Sequence, residues 1–156
     1  MRKNVLMIVL VLLFVFGVEA GAKEFSSEDI SKAIQAVIPT EFGYVDNTEY
    51  LMKHKFSLLP CISDSHIVVS ADSTNFSEFG VFRVEDTDAA KQCAKLLSKY
   101  LNERKAQFQS GVVYNVSEYP KFENAKVTVI KPFVIYTILN TSQSNAALKS
   151  IKSILE

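Results

Sequence analysis

Residues 77–108, SEFGVFRVEDTDAAKQCAKLLSKYLNERKAQF, constrain the fold more than any other stretch, because they join a strand to a long helix through one acidic turn. Gly80, Phe82 and Val84 recur with period two, the spacing of a strand that buries a face. Beyond the turn, at about 100° per residue, Ala90, Cys93, Ala94, Leu97, Leu101 and Phe108 fall on one stripe. Lys91, Gln92, Lys95, Lys99 and Asn102 point away from it, so the helix lays one face on a core. Glu85, Asp86 and Asp88 stand where a helix N-terminus favours acids, with Asp86 or Thr87 as the cap.

The rest of the chain supplies partners for that unit. Ser26 and Asp29 have the spacing of a capping box, and Phe25 is placed to staple against Ile30. Ile30, Ala33, Ile34, Val37 and Ile38 then follow helical spacing until Pro39 ends the run. Residues 40–60 are mixed and read as a covering arm, with one or two helical turns after Asn47 and Thr48. The β-branched run 66–71, the polar turn 72–75 and the strand 79–85 make a hairpin. Residues 110–124 read as a tyrosine-bearing loop containing Pro120. A second hairpin pairs 125–130 with 133–139, separated only by Lys131 and Pro132. Its last strand is apolar on both faces, which suits a central position. Ser142 or Ser144 then caps a helix with a stripe of Ala147, Leu148, Ile151, Ile154 and Leu155. The order α-β-β-α-β-β-α predicts an α+β fold, a mostly antiparallel sheet of about four strands with helices packed on it. Residues 23–156 form one domain on this reading, a helical arm over 23–64 and a sheet-helix core over 65–156.

Arg2 and Lys3 precede an unbroken apolar run over residues 5–16, followed by small residues. That is the layout of a secretory signal peptide over residues 1–22, with cleavage after Ala22 preferred to cleavage after Ala20. The run falls short of the roughly 18 apolar residues of a spanning helix, and no Cys near the cleavage point offers a lipid acceptor. The expectation is a secreted or extracytoplasmic chain with no membrane span beyond the signal segment. The 17 Lys and Arg balance the 17 Asp and Glu, and the lysines are scattered. No electrostatic footprint for nucleic acid follows.

Few residues offer chemistry. Cys61 and Cys93 are the chain's 2 cysteines, and an even count in an exported chain suits a disulfide. Such a bridge would close a loop of about 32 residues and stabilise by roughly 3 to 4 kcal/mol in the chain-entropy model. The other reading makes Cys93, in the apolar stripe, a small buried hydrophobe. His54, Cys61, Asp64 and His66 are the densest group of potential metal ligands, but their spacing matches no common zinc pattern. There is no nucleophile elbow, phosphate-cradling glycine loop or cofactor motif. Arg104 interrupts the apolar stripe. It reads as a stem on the core edge with its guanidinium reaching water, or as an anion-binding fork. Tyr114, Tyr119 and Phe122 are either a partner-binding edge or lids on the core. Asn75, Asn115 and Asn140 each head an N-x-S/T triplet, which matters only in a host that glycosylates secreted chains.

The run GVFRVEDTDAAKQCAKLLSKYLNERKAQF, then Tyr114 with Glu118 and Tyr119, then ENAKVTVI before a final hairpin strand, resembles an uncharacterised bacterial family of small exported domains. That family is the domain of unknown function four-three-five-eight, and the resemblance runs from residue 66 to the C-terminus. Many of its members look like lipoproteins, whereas this chain lacks the acceptor Cys and carries Lys131-Pro132 where a glycine-containing turn is usual. The resemblance implies no catalytic or ligand residues. The functional expectation is therefore a non-catalytic binding module for an unknown protein or small-ligand partner, with no cofactor, contacting it through Tyr114, Tyr119 and Phe122. The alternatives are a thiol- or metal-dependent enzyme centred on Cys61 and His66, and a structural component of the cell envelope.

Overall fold

Neighbouring strands run antiparallel throughout, and helices cover both faces of the single sheet they form. The computed structural model describes residues 24–59, 62–112 and 115–155, so the expected signal peptide and the Ala22 cleavage point lie outside the described residues. Among the described residues the elements run α1 (Ser27–Val37), β1 (Tyr44–Asp46), α2 (Thr48–His54), β2 (Ile62–Ser70), β3 (Glu78–Val84), α3 (Thr87–Gln107), α4 (Tyr119–Glu123), β4 (Lys126–Ile130), β5 (Phe133–Ile138) and α5 (Thr141–Leu155). The strands are ordered β1-β2-β3-β5-β4. This is the α+β architecture that the alternation of patterns predicts. No helix among the described residues is long and apolar enough to cross a membrane.

Alternation along the strands divides the core in two. Val68, Phe79, Val81, Phe133 and Ile135 face α1 and α5, where Ile30, Ile34 and Ile151 meet them. Ile67, Phe82, Val134 and Tyr136 face α3 and meet Cys93, Leu97 and Leu101. β5 is buried along its whole length between β3 and β4, in keeping with its two apolar faces.

Local chemistry sets the helix starts. Ser26 Oγ accepts from the Asp29 amide at 3.1 Å, and Asp29 Oδ2 accepts from the Ser26 amide at 3.0 Å, completing the capping box. Asp64 of β2 adds a third acceptor to the same helix end, taking the Ser27 amide at 2.5 Å. Asp86 caps α3, its Oδ1 accepting from the Asp88 and Ala89 amides at 2.8 Å each.

The structure departs from the expected pattern in three places. The covering arm contributes a strand as well as helices: Gly43, at φ 74, turns the chain into β1, which pairs with β2. Three residues carry too little period to be read from sequence. Pairing defines them, helped by Tyr44 OH donating to the Ile38 carbonyl at 2.8 Å. Most of the described residues of 110–124 are wound rather than looped, in a π turn (Phe108–Val112), a 3-10 turn (Val116–Glu118) and α4. Pro120 sits in the first turn of α4, where its missing N–H costs nothing. The last helix is capped by Asn140 instead of Ser142 or Ser144. Asn140 Oδ1 accepts from the Gln143 amide at 2.9 Å and Gln143 Oε1 from the Asn140 amide at 3.2 Å, the same reciprocal pairing as a capping box.

Candidate functional site

The buried stripe of α3 includes Tyr100, between Leu97 and Arg104, and it brings two polar side chains against the start of β3. Glu78 opens that strand, and Gly80 follows two residues on, on the same face. A Cβ at Gly80 would lie 2.5 Å from Tyr136 Cε1. Glycine there leaves room for the ring of Tyr136, its partner in the β3–β5 register, to lean along the sheet toward Glu78.

The three elements converge on one carboxylate. Glu78 Oε1 accepts from Tyr100 OH at 2.6 Å and from Tyr136 OH at 2.7 Å. Arg104 Nη2 donates to Oε2 at 3.4 Å, with the Glu78 side chain 5% exposed and the Arg104 side chain 32% exposed. The Arg104 guanidinium carbon also stands 6.0 Å from the centre of the Phe122 ring, a cation–π arrangement. Burial, reinforced by the Glu78 charge, pushes both tyrosine hydroxyls well above their ordinary pKa of 10.0. They are therefore fixed as donors to Glu78. Arg104 Nε is buried without a hydrogen-bond partner among the described residues.

A cleft of about 270 Å³ opens above this carboxylate between α2 and α3. Asn47, Tyr50 and Lys55 line it from the α2 side, and Glu103, Arg104 and Gln107 from the α3 side. One buried anion thus steadies an arginine that remains open to the cleft. Arrangements of this kind orient polar ligands, because the guanidinium is pre-positioned and need not be ordered on binding.

The residues singled out in the sequence fare differently. Phe122 is a lid on the core, buried and stacked on Phe108 at 4.5 Å between ring centres, so its ring is not offered to a partner. Half-buried Tyr119 stacks on Phe108 at 5.9 Å, its hydroxyl accepting from Gln109 Nε2 at 3.0 Å. Tyr114 and Cys61 lie outside the described residues. Among the described residues Cys93 has no disulfide partner, and burial pushes its thiol pKa up to about 12; the expected bridge to Cys61 rests on a residue outside the described ones. The His54, Asp64 and His66 group is dispersed to separate tasks. His54 packs on Tyr50 at 4.6 Å, Asp64 caps α1, and His66 Nε2 stands 3.7 Å from Asp46. Among the described residues no group of three His, Cys, Asp or Glu is placed to hold a metal ion.

The N-x-S/T triplets have a local explanation. Asn75 and Asn115 accept from the amides of Ser77 and Ser117, at 3.0 Å and 3.2 Å, as Asx turns, and Asn140 is a helix cap. Asn75 also takes a hydrogen bond from the buried Lys121 ammonium at 2.6 Å, tying α4 to the β2–β3 turn.

Sequence reading found Arg104 and missed Glu78, Tyr100 and Tyr136. The available signal was a lone carboxylate at the head of an apolar strand, with tyrosines at buried positions of α3 and β5. No family model, curated protein or solved structure matches the chain.

Proposed function

We propose that the chain is an exported, non-catalytic binding domain whose ligand site is the cleft between α2 and α3. The observation that carries this reading is the Glu78 carboxylate, buried yet hydrogen-bonded by Tyr100 and Tyr136 and placed against Arg104 beneath the cleft. Taking a carboxylate out of water costs several kcal/mol. A chain that needed only a core would gain more from an apolar residue there.

Binding rather than catalysis is supported by the state of the reactive groups. The two tyrosines hold their protons far more tightly than a general acid or base working near neutrality, and the Cys93 thiol is sealed and raised. Of the partner surface expected at Tyr114, Tyr119 and Phe122, Phe122 is spent on the core and Tyr114 lies outside the described residues, so the reading is built on the cleft.

Nitrogen-15-labelled protein recovered after export, screened against small polar and charged compounds, tests the reading. Amide shifts confined to Asn47, Tyr50, Glu103 and Gln107 are expected. Hits that leave those amides unmoved while perturbing another surface would overturn it.

A further inference from the structure

The charges a ligand would meet in the cleft are unequal in access. Four charged side chains line it: Lys55, Glu78, Glu103 and Arg104. Glu78 is closed off, with one oxygen holding two tyrosine hydroxyls and the other facing Arg104. Two cations and one carboxylate, Glu103, are left for a ligand. Among the described residues Glu103 pairs with an exposed helical neighbour, Lys99, at 3.9 Å, a pairing of little strength in water.

This pattern selects among small molecules. A plain anion would satisfy Arg104 and Lys55 but desolvate Glu103 without a partner, and a plain cation would meet Lys55 and Arg104. A molecule carrying a carboxylate beside an ammonium group pairs all three. Leu51 and Val69 add an apolar wall beside Tyr50, while the amides of Asn47 and Gln107 can serve either charged end. The cleft, about 270 Å³ and open to solvent, has room for a small polar molecule with a short apolar tail. Leucine is such a molecule.

We infer that the cleft takes a free amino acid with an aliphatic side chain, its carboxylate on Arg104 and Lys55 and its ammonium group on Glu103. The inference deepens the cleft reading above and rests on it. The test is titration of the labelled protein with four probes: L-leucine, 4-methylpentanoate, which lacks the amine, 3-methylbutylamine, which lacks the carboxylate, and neutral 3-methylbutanamide.

Leucine is expected to bind at least about tenfold more tightly than any other probe, the order a charge-assisted contact contributes. Glu103→Gln, at an exposed position, should weaken leucine and tighten 4-methylpentanoate, so that the preference of leucine over 4-methylpentanoate is lost. Arg104→Gln should abolish shifts from both. Lys55→Gln, also exposed, should weaken both several-fold, and serves if the Arg104 variant does not fold. Leucine binding no better than 4-methylpentanoate, or amine or amide binding as well as leucine, overturns the amino-acid assignment and leaves the cleft as a ligand site. Cleft amides unmoved by all four probes overturn the assignment, and if the wider small-molecule screen also leaves them unmoved, the cleft reading falls with it.

Discussion

The two faces of the sheet are built to different rules. On the α1 and α5 side the core is aliphatic and aromatic, and the helices bury only small hydroxyls, those of Ser27, Ser31 and Ser144. On the α3 side the same strands, β3 and β5, carry Glu78 and Tyr136 into an otherwise apolar cluster that reaches Leu97 and Phe122. Both faces hold fully buried side chains, so shielding from water does not by itself explain the difference. A buried ion pair is seldom the most stable way to fill a core. On the proposed reading, the α1–α5 face fixes the fold and the α3 face gives up stability to hold an arginine at a cleft.

Breaking each face should give distinct results. The largest effect is expected from Glu78→Ala, a loss of about 3 to 5 kcal/mol in urea unfolding, because two tyrosine hydroxyls and a guanidinium lose their shared acceptor. Ile135→Ala on the opposite face should cost about 3 kcal/mol through its cavity. It should also leave the amide shifts of the cleft in place, which Glu78→Ala should not. Gly80→Ala should cost about 2 kcal/mol by driving the Tyr136 ring out of its position. Its mark is a shifted Tyr136 ring resonance with α1 unchanged.

Tyr136→Phe is expected to cost about 1 to 2 kcal/mol by removing one donor to Glu78. In a double-mutant cycle with Glu78→Gln it should couple by more than about 0.5 kcal/mol. The smallest effect near neutrality is the alkaline response. Burial raises the Cys93 thiol from 9.0 to about 12, so the unfolded chain ionises first and binds fewer protons across that interval. Stability is then full below pH 9 and declines as pH rises toward 12. Urea midpoints at pH 8 and pH 10 should differ less in Cys93→Ala than in the parent.

Legibility in the sequence follows the same division. Elements defined by period were readable: the Ile30 and Ile34 stripe of α1, the two hairpins and the α3 start at Asp86 all stand where their patterns place them. β1 was not readable, because its three residues, Tyr44, Val45 and Asp46, acquire strand geometry from pairing with Ser70, Val69 and Val68 of β2. α4 was hidden by Pro120, which marks a break in a helix interior but is at ease in a first turn. In the candidate site, Arg104 stood out as a charge within an apolar stripe. Glu78 did not, because a carboxylate at a strand end is ordinarily solvated and only the approach of α3 and β5 buries it. Tyr136 passed as an apolar residue of the last strand, since a hydroxyl at a ring's tip leaves the spacing of the pattern unaltered, and Tyr100 was left out of the α3 stripe although it is buried there.

On the proposed reading, the buried network serves the cleft and not the core. The most direct test of that reading is the urea midpoint of a variant carrying Glu78→Met, Tyr100→Phe, Tyr136→Phe and Arg104→Met together, which replaces the network by apolar groups of similar volume. A midpoint equal to or above that of the parent, with the small-molecule shifts at the cleft abolished, is the result expected. A loss of more than about 2 kcal/mol, or cleft shifts that persist, would contradict it and assign Glu78 to holding the fold.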